Sequence, residues 1–270
     1  MQSLTVRPST VRIGLALGGG FARGIAHAGL LRAFQRHRIP IHCVAGVSAG
    51  AVVAAAYASG TTADEIADVG RSMRFSDVGR WRPGRLGLVS SAAMIGFLGR
   101  LVKTDRFERM RLPLGVLATD LSTGEPVVFS TAGNVIDPVR ASCAYPGLFQ
   151  PVQSQGRLLV DGAISMGVPA ALARQLGATH VISVTLPPGA PAGRPSNLFQ
   201  VVGRCLQILQ QRADDRWKAE SDLVLAPDVG EVDWHRFDQA QQLIEAGDRA
   251  ATAAVPEIRR WLAIGRPMAA

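Results

Sequence analysis

Apolar residues in this chain come in two rhythms: short runs that end on glycine or proline, and longer stretches at helical spacing between them. Residues 11–17 are apolar except at Arg12 and Gly14 and read as a buried strand, closed by Gly18-Gly19-Gly20. Residues 22–36 place Ile25, Ala28, Gly29, Leu31 and Ala33 at the small and apolar positions of a helix, and Pro40 stops any continuation. A second strand over 41–45 enters a glycine-flanked turn at Ser48, followed by an alanine-rich helix over 49–59. Strand, loop, helix, strand, turn, helix is the opening of a parallel α/β sheet.

Thr61 or Thr62 is placed to cap a helix over 63–73. Residues 71–103 carry the weakest pattern, gathering Arg71, Arg74, Arg80, Arg82 and Arg85 with Phe75 and Trp81 ahead of an apolar, helix-like run over 91–102. Two readings stay open: a lid or interfacial patch above the crevice, or an ordinary helical subdomain packed on the core. Further strands are expected at 114–119, 126–130, 157–160, 180–186 and 222–226, and helices at 167–176, 197–218, 237–254 and 257–263. The organisation is then a core over 11–186, a Pro/Gly/Ala-rich surface loop over 187–196, and a helix–strand–helix part over 197–270 packed on the same domain.

Composition narrows the class. With 270 residues, 47% of them hydrophobic and 19% charged, the chain can bury a full core and is not disordered. Cys43, Cys143 and Cys205 are far apart and follow no metal-ligand spacing, so buried free thiols are expected, with no disulfide framework, no metal and no cofactor. The first twelve residues are polar, with no apolar signal-peptide core, and no apolar stretch reaches the roughly 18 residues of a membrane span. The expected location is cytoplasmic. The net charge of +8 comes from arginine, lysine occurring only at Lys103 and Lys218. The arginines are dispersed and no nucleic-acid motif appears, which excludes nucleic acid as partner. The charge reflects either genome composition or attraction to anionic headgroups, the latter placing the protein peripherally on the inner membrane face.

The chemistry centres on Gly46-Val47-Ser48-Ala49-Gly50. A serine on a tight strand-to-helix turn needs small flanking residues, and the following helix N-terminus favours developing negative charge, so Ser48 reads as a catalytic nucleophile. Gly18-Gly19-Gly20 also follows a strand and opens a helix. A dinucleotide site would need Gly-x-Gly-x-x-Gly and an acidic residue after the second strand; Arg23 occupies the third glycine slot and that strand ends on Ala45-Gly46. The alternative is an oxyanion hole of backbone N–H groups. Arg23 would hold this loop, bind an anionic headgroup or form a structural salt bridge. A histidine base is poorly supplied: after Ser48 only His180, at the start of a strand, and His235, tied to no strand end, are available. Asp161 fits the base better: it follows the strand over 157–160 at its carboxyl end and is held by Gly162-Ala163. Ligands in open parallel sheets bind at that edge, so Gly18, Gly19, Gly20, Ser48 and Asp161 are expected to face one crevice.

Together these motifs resemble the patatin-like phospholipase family, and the segments 118–125 and 141–149 look like its bacterial branch. The resemblance covers residues 11–184 well and is looser beyond 187. It implies a three-layer α/β/α fold with a mainly parallel sheet, and a Ser–Asp dyad without histidine that hydrolyses lipid acyl esters through an acyl-enzyme. Carried over, Ser48 is the nucleophile, Asp161 the proton acceptor and Gly18, Gly19 and Gly20 the oxyanion hole, supported by Arg23, Gly46, Gly50, Gly162 and Ala163. The substrate is a lipid or small acyl ester, as for a phospholipase A, lysophospholipase or carboxylesterase. Two departures stand out: Phe21 fills a slot often held by glycine, and Ala163 replaces the commoner glycine. A crowded loop at Phe21 keeps open the alternative of a low-turnover regulatory or scaffold protein.

Overall fold

A computed structural model describes residues 11–187, 194–195, 198–213 and 216–264. The chain enters through β1 (Ile13–Leu17), makes a 3-10 turn over Phe21–Ile25 and continues into α1 (Ala26–Arg36). β2 (Cys43–Val47) leads into α2 (Ala49–Ser59). α3 (Ala63–Ser72) opens on a reciprocal cap, in which Thr62 Oγ1 accepts the Glu65 N–H and the Glu65 carboxylate accepts the Thr62 N–H. α4 (Phe75–Val78), an antiparallel hairpin of β3 (Arg80–Gly84) and β4 (Gly87–Ser90), and α5 (Ala92–Leu101) follow. The chain then runs through β5 (Leu114–Asp120), β6 (Pro126–Phe129), α6 (Ile136–Ser142), β7 (Val152–Ser154), β8 (Arg157–Asp161), α7 (Ala170–Gln175) and β9 (His180–Val184). It finishes with α8 (Leu198–Ala213), α9 (Arg216–Ala219), β10 (Leu223–Leu225) and α10 (Ala240–Ile264).

Among the described residues the main sheet has eight strands in the order β10-β9-β1-β2-β5-β8-β7, with β6 also paired to β5. The run from β10 to β5 is parallel, whereas β6 and β8 lie antiparallel to β5. Side chains alternate across the strands. Ile13, Leu15 and Leu17 of β1 enter a large core with residues of α1, α2, α3, α5 and α10, while Ala16 of β1 and Cys43, Ala45 and Val47 of β2 face α7 on the other side. The result is helix, sheet, helix, a mixed α/β fold around a mostly parallel sheet.

The registers of β5 position the site. β6 pairs with Val116 to Thr119, overlapping both the residues that pair with β2, through Leu117, and those that pair with β8, from Ala118. A residue has one partner per edge, so β2 and β8 share the edge of β5 opposite β6. Val47 stands against Leu117 and Asp161 against Ala118, so the two strands meet end to end.

Several elements differ from expectation. β8 runs against the parallel strands, so Asp161 reaches Ser48 by descending onto the end of β2 rather than by sharing its direction. The 71–103 region contains the β3–β4 hairpin, whose exposed Arg, Trp, Pro and Gly residues offer no one-sided periodicity. α10 is one helix through Pro256, where two were expected; Ala251, Ala254, Val255 and Ile258 keep its buried stripe continuous while Pro256 faces solvent, where the carbonyl it leaves free can be hydrated. The expected helix over 197–218 is found as α8 and α9, and residues 214–215 between them lie outside the described residues. So do 188–193 and 196–197, most of the expected surface loop. Of the thiols, Cys43 is buried, Cys143 partly buried and Cys205 exposed on α8. Among the described residues no helix is long and apolar enough to cross a membrane.

Candidate active site

Ser48 caps α2 with φ +54° and ψ −127°, an unfavourable conformation for a residue with a side chain. Two contacts hold it there. Its N–H donates to Ser142 Oγ at 2.8 Å, and the Ser142 hydroxyl in turn donates to the Leu117 carbonyl at 2.6 Å. Its carbonyl accepts from Ala51 and Val52 in the first turn of α2. The turn is tight enough that a Cβ at Gly50 would strike the Leu17 carbonyl, and one at Gly46 would lie 2.5 Å from the Gly50 oxygen.

Asp161 is fixed on all sides. Its N–H donates to the Ala144 carbonyl at 3.0 Å, and its own carbonyl accepts the Thr119 hydroxyl at 3.0 Å. One carboxylate oxygen, Oδ1, accepts the Ala163 N–H at 2.9 Å. The other, Oδ2, accepts the Ser48 hydroxyl at 2.7 Å, across 113 positions of sequence. Gly162 is needed because a Cβ there would strike the Leu117 carbonyl. Burial pushes the Asp161 carboxyl up to about 6, while the hydrogen bonds from Ser48 and Ala163 hold it from rising further. A buried carboxylate of raised proton affinity, aimed at a serine hydroxyl, is chemically a proton acceptor.

The glycine loop lies beside this pair: a Cβ at Gly19 would sit 3.2 Å from Ser48 Cβ and 3.7 Å from Ala163 Cβ. Its three glycines are not equivalent. The Gly18 N–H is committed to the Val184 carbonyl at 2.9 Å, and the Gly18 carbonyl accepts His27 Nε2–H at 2.9 Å. Among the described residues the N–H groups of Gly19 and Gly20 have no protein acceptor. They are therefore the loop's available donors, and Gly18 is its anchor. His27 is fully buried in α1, and burial lowers it to about 4, so the ring stays neutral with its Nε2 proton on Gly18. Arg23 is buried as well, its guanidinium 3.4 Å from the Pro187 carbonyl and attracted by Asp233, so it ties the loop to the exit of β9. Phe21 has φ +53°, and its ring packs among Phe75, Phe149, Trp234 and Phe237.

Among the described residues no cluster of His, Cys, Asp or Glu could hold a metal. His180 begins β9 opposite Ile13, at the far end of β1 from the glycine loop, with its ring against Trp261. Ser142, Thr119 and His27 carry no chemical signature in the sequence. Ser142 and Thr119 fall in segments that resemble the family, and His27 is a polar residue among the apolar positions of α1.

A model of the patatin-like phospholipases matches residues 15–174. The chain belongs to the patatin-like phospholipase family. This patatin-like chain is 34% identical over 188 residues to an uncharacterized NTE family protein of Mycobacterium tuberculosis, covering 68% of the chain and 51% of the relative. It is 31% identical over 274 residues to a second NTE family protein of that species, covering 90% and 46%. Lysophospholipase NTE1 of Mycosarcoma maydis is 32% identical over 180 residues, covering 64% of the chain and 9% of the relative. The chain thus spans about half the length of the mycobacterial relatives. Among solved structures, VipD from Legionella pneumophila superposes with a TM-score of 0.54 at 14% identity over 93% of this chain and 67% of that one. ExoU from Pseudomonas aeruginosa, in complex with SpcU, gives 0.54 at 13% identity over 93% and 53%. At these identities the likeness is one of fold.

Proposed function

We propose that this protein is a serine hydrolase of lipid acyl esters, of phospholipase A or lysophospholipase type, working through Ser48 and Asp161. The observation that carries the reading is the 2.7 Å hydrogen bond from the Ser48 hydroxyl to a buried carboxylate, beside two glycine N–H groups left without a protein acceptor. In the first half-reaction Asp161 Oδ2 takes the Ser48 proton as Oγ bonds to the ester carbonyl carbon. The carbonyl oxygen becomes an oxyanion that Gly19 and Gly20 receive, with the α2 N-terminus adding positive potential. Collapse breaks the bond to the leaving alkoxide, which takes from Asp161 the proton that came from Ser48 and departs as an alcohol, leaving an acyl-Ser48 ester. In the second half-reaction Asp161 takes a proton from water, the hydroxide attacks the acyl carbon, and Ser48 recovers its proton as fatty acid departs.

The family and the lysophospholipase relative support a lipid acyl ester as substrate. The experiment is labelling by a fluorophosphonate probe together with hydrolysis of nitrophenyl esters and of lysophosphatidylcholine. Wild type should label and turn over, and Ser48→Ala should do neither. Full activity in Ser48→Ala would sink the proposal. A correctly folded wild type without labelling or turnover would favour the scaffold alternative, whose motive, a loop crowded by Phe21, is weakened by that ring's place among four other aromatic side chains.

A further inference from the structure

The β3–β4 hairpin has the wrong surface for an ordinary solvent loop. Trp81 is 67% exposed and Leu86, at the two-residue tip between Gly84 and Gly87, is 64% exposed. Hairpin tips favour glycine, asparagine, aspartate and proline, and an exposed leucine and an exposed tryptophan on one hairpin are unfavourable in water. Between them and around them stand Arg80, Arg82 and Arg85, all exposed. Arginines elsewhere in the molecule commonly meet acids: Arg32 meets Asp64, Arg36 meets Asp248 and Arg174 meets Asp222. The three hairpin arginines form no ion pair among the described residues. No acidic residue occurs in the sequence from Val78 to Thr104, so the hairpin itself carries no acid to offset them.

The hairpin is nonetheless well seated. The N–H groups of Leu88 and Val89 donate to the Leu148 carbonyl, Gln150 N–H donates to the Val89 carbonyl, and Gln150 Nε2 donates to the Arg82 carbonyl at 3.2 Å. Phe149 in this seat packs on Phe21, the residue that follows the glycine loop. A cationic hairpin with an exposed leucine at its tip and an exposed tryptophan on β3 thus stands on residues 148–150, whose Phe149 packs on Phe21 beside the candidate site.

We propose that the β3–β4 hairpin docks the protein on an anionic phospholipid surface, with Leu86 and Trp81 entering the headgroup–acyl boundary and Arg80, Arg82 and Arg85 meeting lipid phosphates. Arginine supplies planar donors for phosphate, and tryptophan partitions to the boundary between acyl chains and water. Acidic protein or polynucleotide would satisfy the charges but leave the apolar tip unexplained. That the docked surface feeds the acyl site rests on the hydrolase reading; the docking itself does not.

The test is co-sedimentation of the 270-residue chain carrying Ser48→Ala, so that no lipid is consumed, with vesicles of phosphatidylcholine alone or mixed equally with phosphatidylglycerol. Binding is expected to the mixed vesicles only. Replacing Arg80, Arg82 and Arg85 together by glutamine should lower partitioning roughly a hundredfold. Trp81→Ala with Leu86→Ser should lower it on the order of tenfold, and Trp81→Phe should largely retain it. With Ser48 intact, all these variants should hydrolyse a soluble short-chain ester like wild type. Equal binding to neutral vesicles, or unchanged binding in the arginine variant, would overturn the proposal. So would loss of soluble-ester activity along with binding, which would make the hairpin a structural prop, or retention on heparin without vesicle binding, which would assign it to an acidic polymer. Vesicle binding as expected in a wild type that turns over no ester would leave the docking standing and remove the hydrolase reading.

Discussion

A completely buried carboxylate without an ion pair among the described residues ionises reluctantly even though it accepts two hydrogen bonds, and under the proposed mechanism this sets the pH behaviour of the reaction. As the proposed base, Asp161 must be deprotonated to accept the Ser48 proton. With Asp161 at about 6, kcat/KM for a soluble ester should fall as pH drops through that value and level off above it. A profile flat from pH 5 to 8 would deny Asp161 this role. Ser142 acts at one remove, since it touches the Ser48 N–H and the Leu117 carbonyl rather than the reacting oxygen. Ser142→Ala should leave the strained Ser48 backbone without the acceptor of its N–H. The expected loss is about a hundredfold in kcat with KM little changed, the scale of a small misplacement of reacting atoms. Steady-state kinetics check it, and an equal loss through KM alone would contradict it.

At the scale of elements, α10 carries a penalty that the sequence advertises and the packing overrides. Pro256 removes one helical N–H from the middle of a 25-residue helix while facing solvent. Pro256→Ala should therefore stabilise the protein by about 1–3 kcal/mol, read from urea denaturation; a destabilised variant would mean that the proline is fitted to its place. The same contrast explains what could be read in advance. β1, β2 and α2 were legible because their apolar runs end at glycines whose positions are dictated by close approach, Gly50 against the Leu17 carbonyl above all. The direction of β8 was not legible, because the apolar run from Leu158 to Val160 reads the same whichever way the strand points. The hairpin was not legible because β3 is exposed along its whole length, which erases its period-two signal, and β4 is only four residues long. Ser48 and Asp161 were visible as chemistry, whereas Ser142 was one serine in a helix end whose purpose depends on a backbone N–H 94 positions away.

Across the whole molecule, two buried titrating groups pull acid stability in opposite directions. The unfolded chain protonates His27 below about 6.5, but the folded one only near 4, so stability is lost as pH falls through that window, by about 3 kcal/mol in all. Asp161 behaves conversely: the folded protein takes its proton near 6 and the unfolded chain near 3.8, so acidification returns about 3 kcal/mol. In Asp161→Asn only the first effect remains. That variant should exceed wild type in urea stability at pH 7 and lose the advantage by pH 4; parallel curves would refute the pairing. The junction of β2 and β8 on β5 has a different kind of consequence. The gap between the two oxygens is gauged by neighbouring rungs of one backbone ladder, not by the connecting chain. Loops and helices on the 113-residue path can therefore be lengthened, trimmed or exchanged over generations without moving either oxygen, provided the ladder and its supporting contacts remain intact.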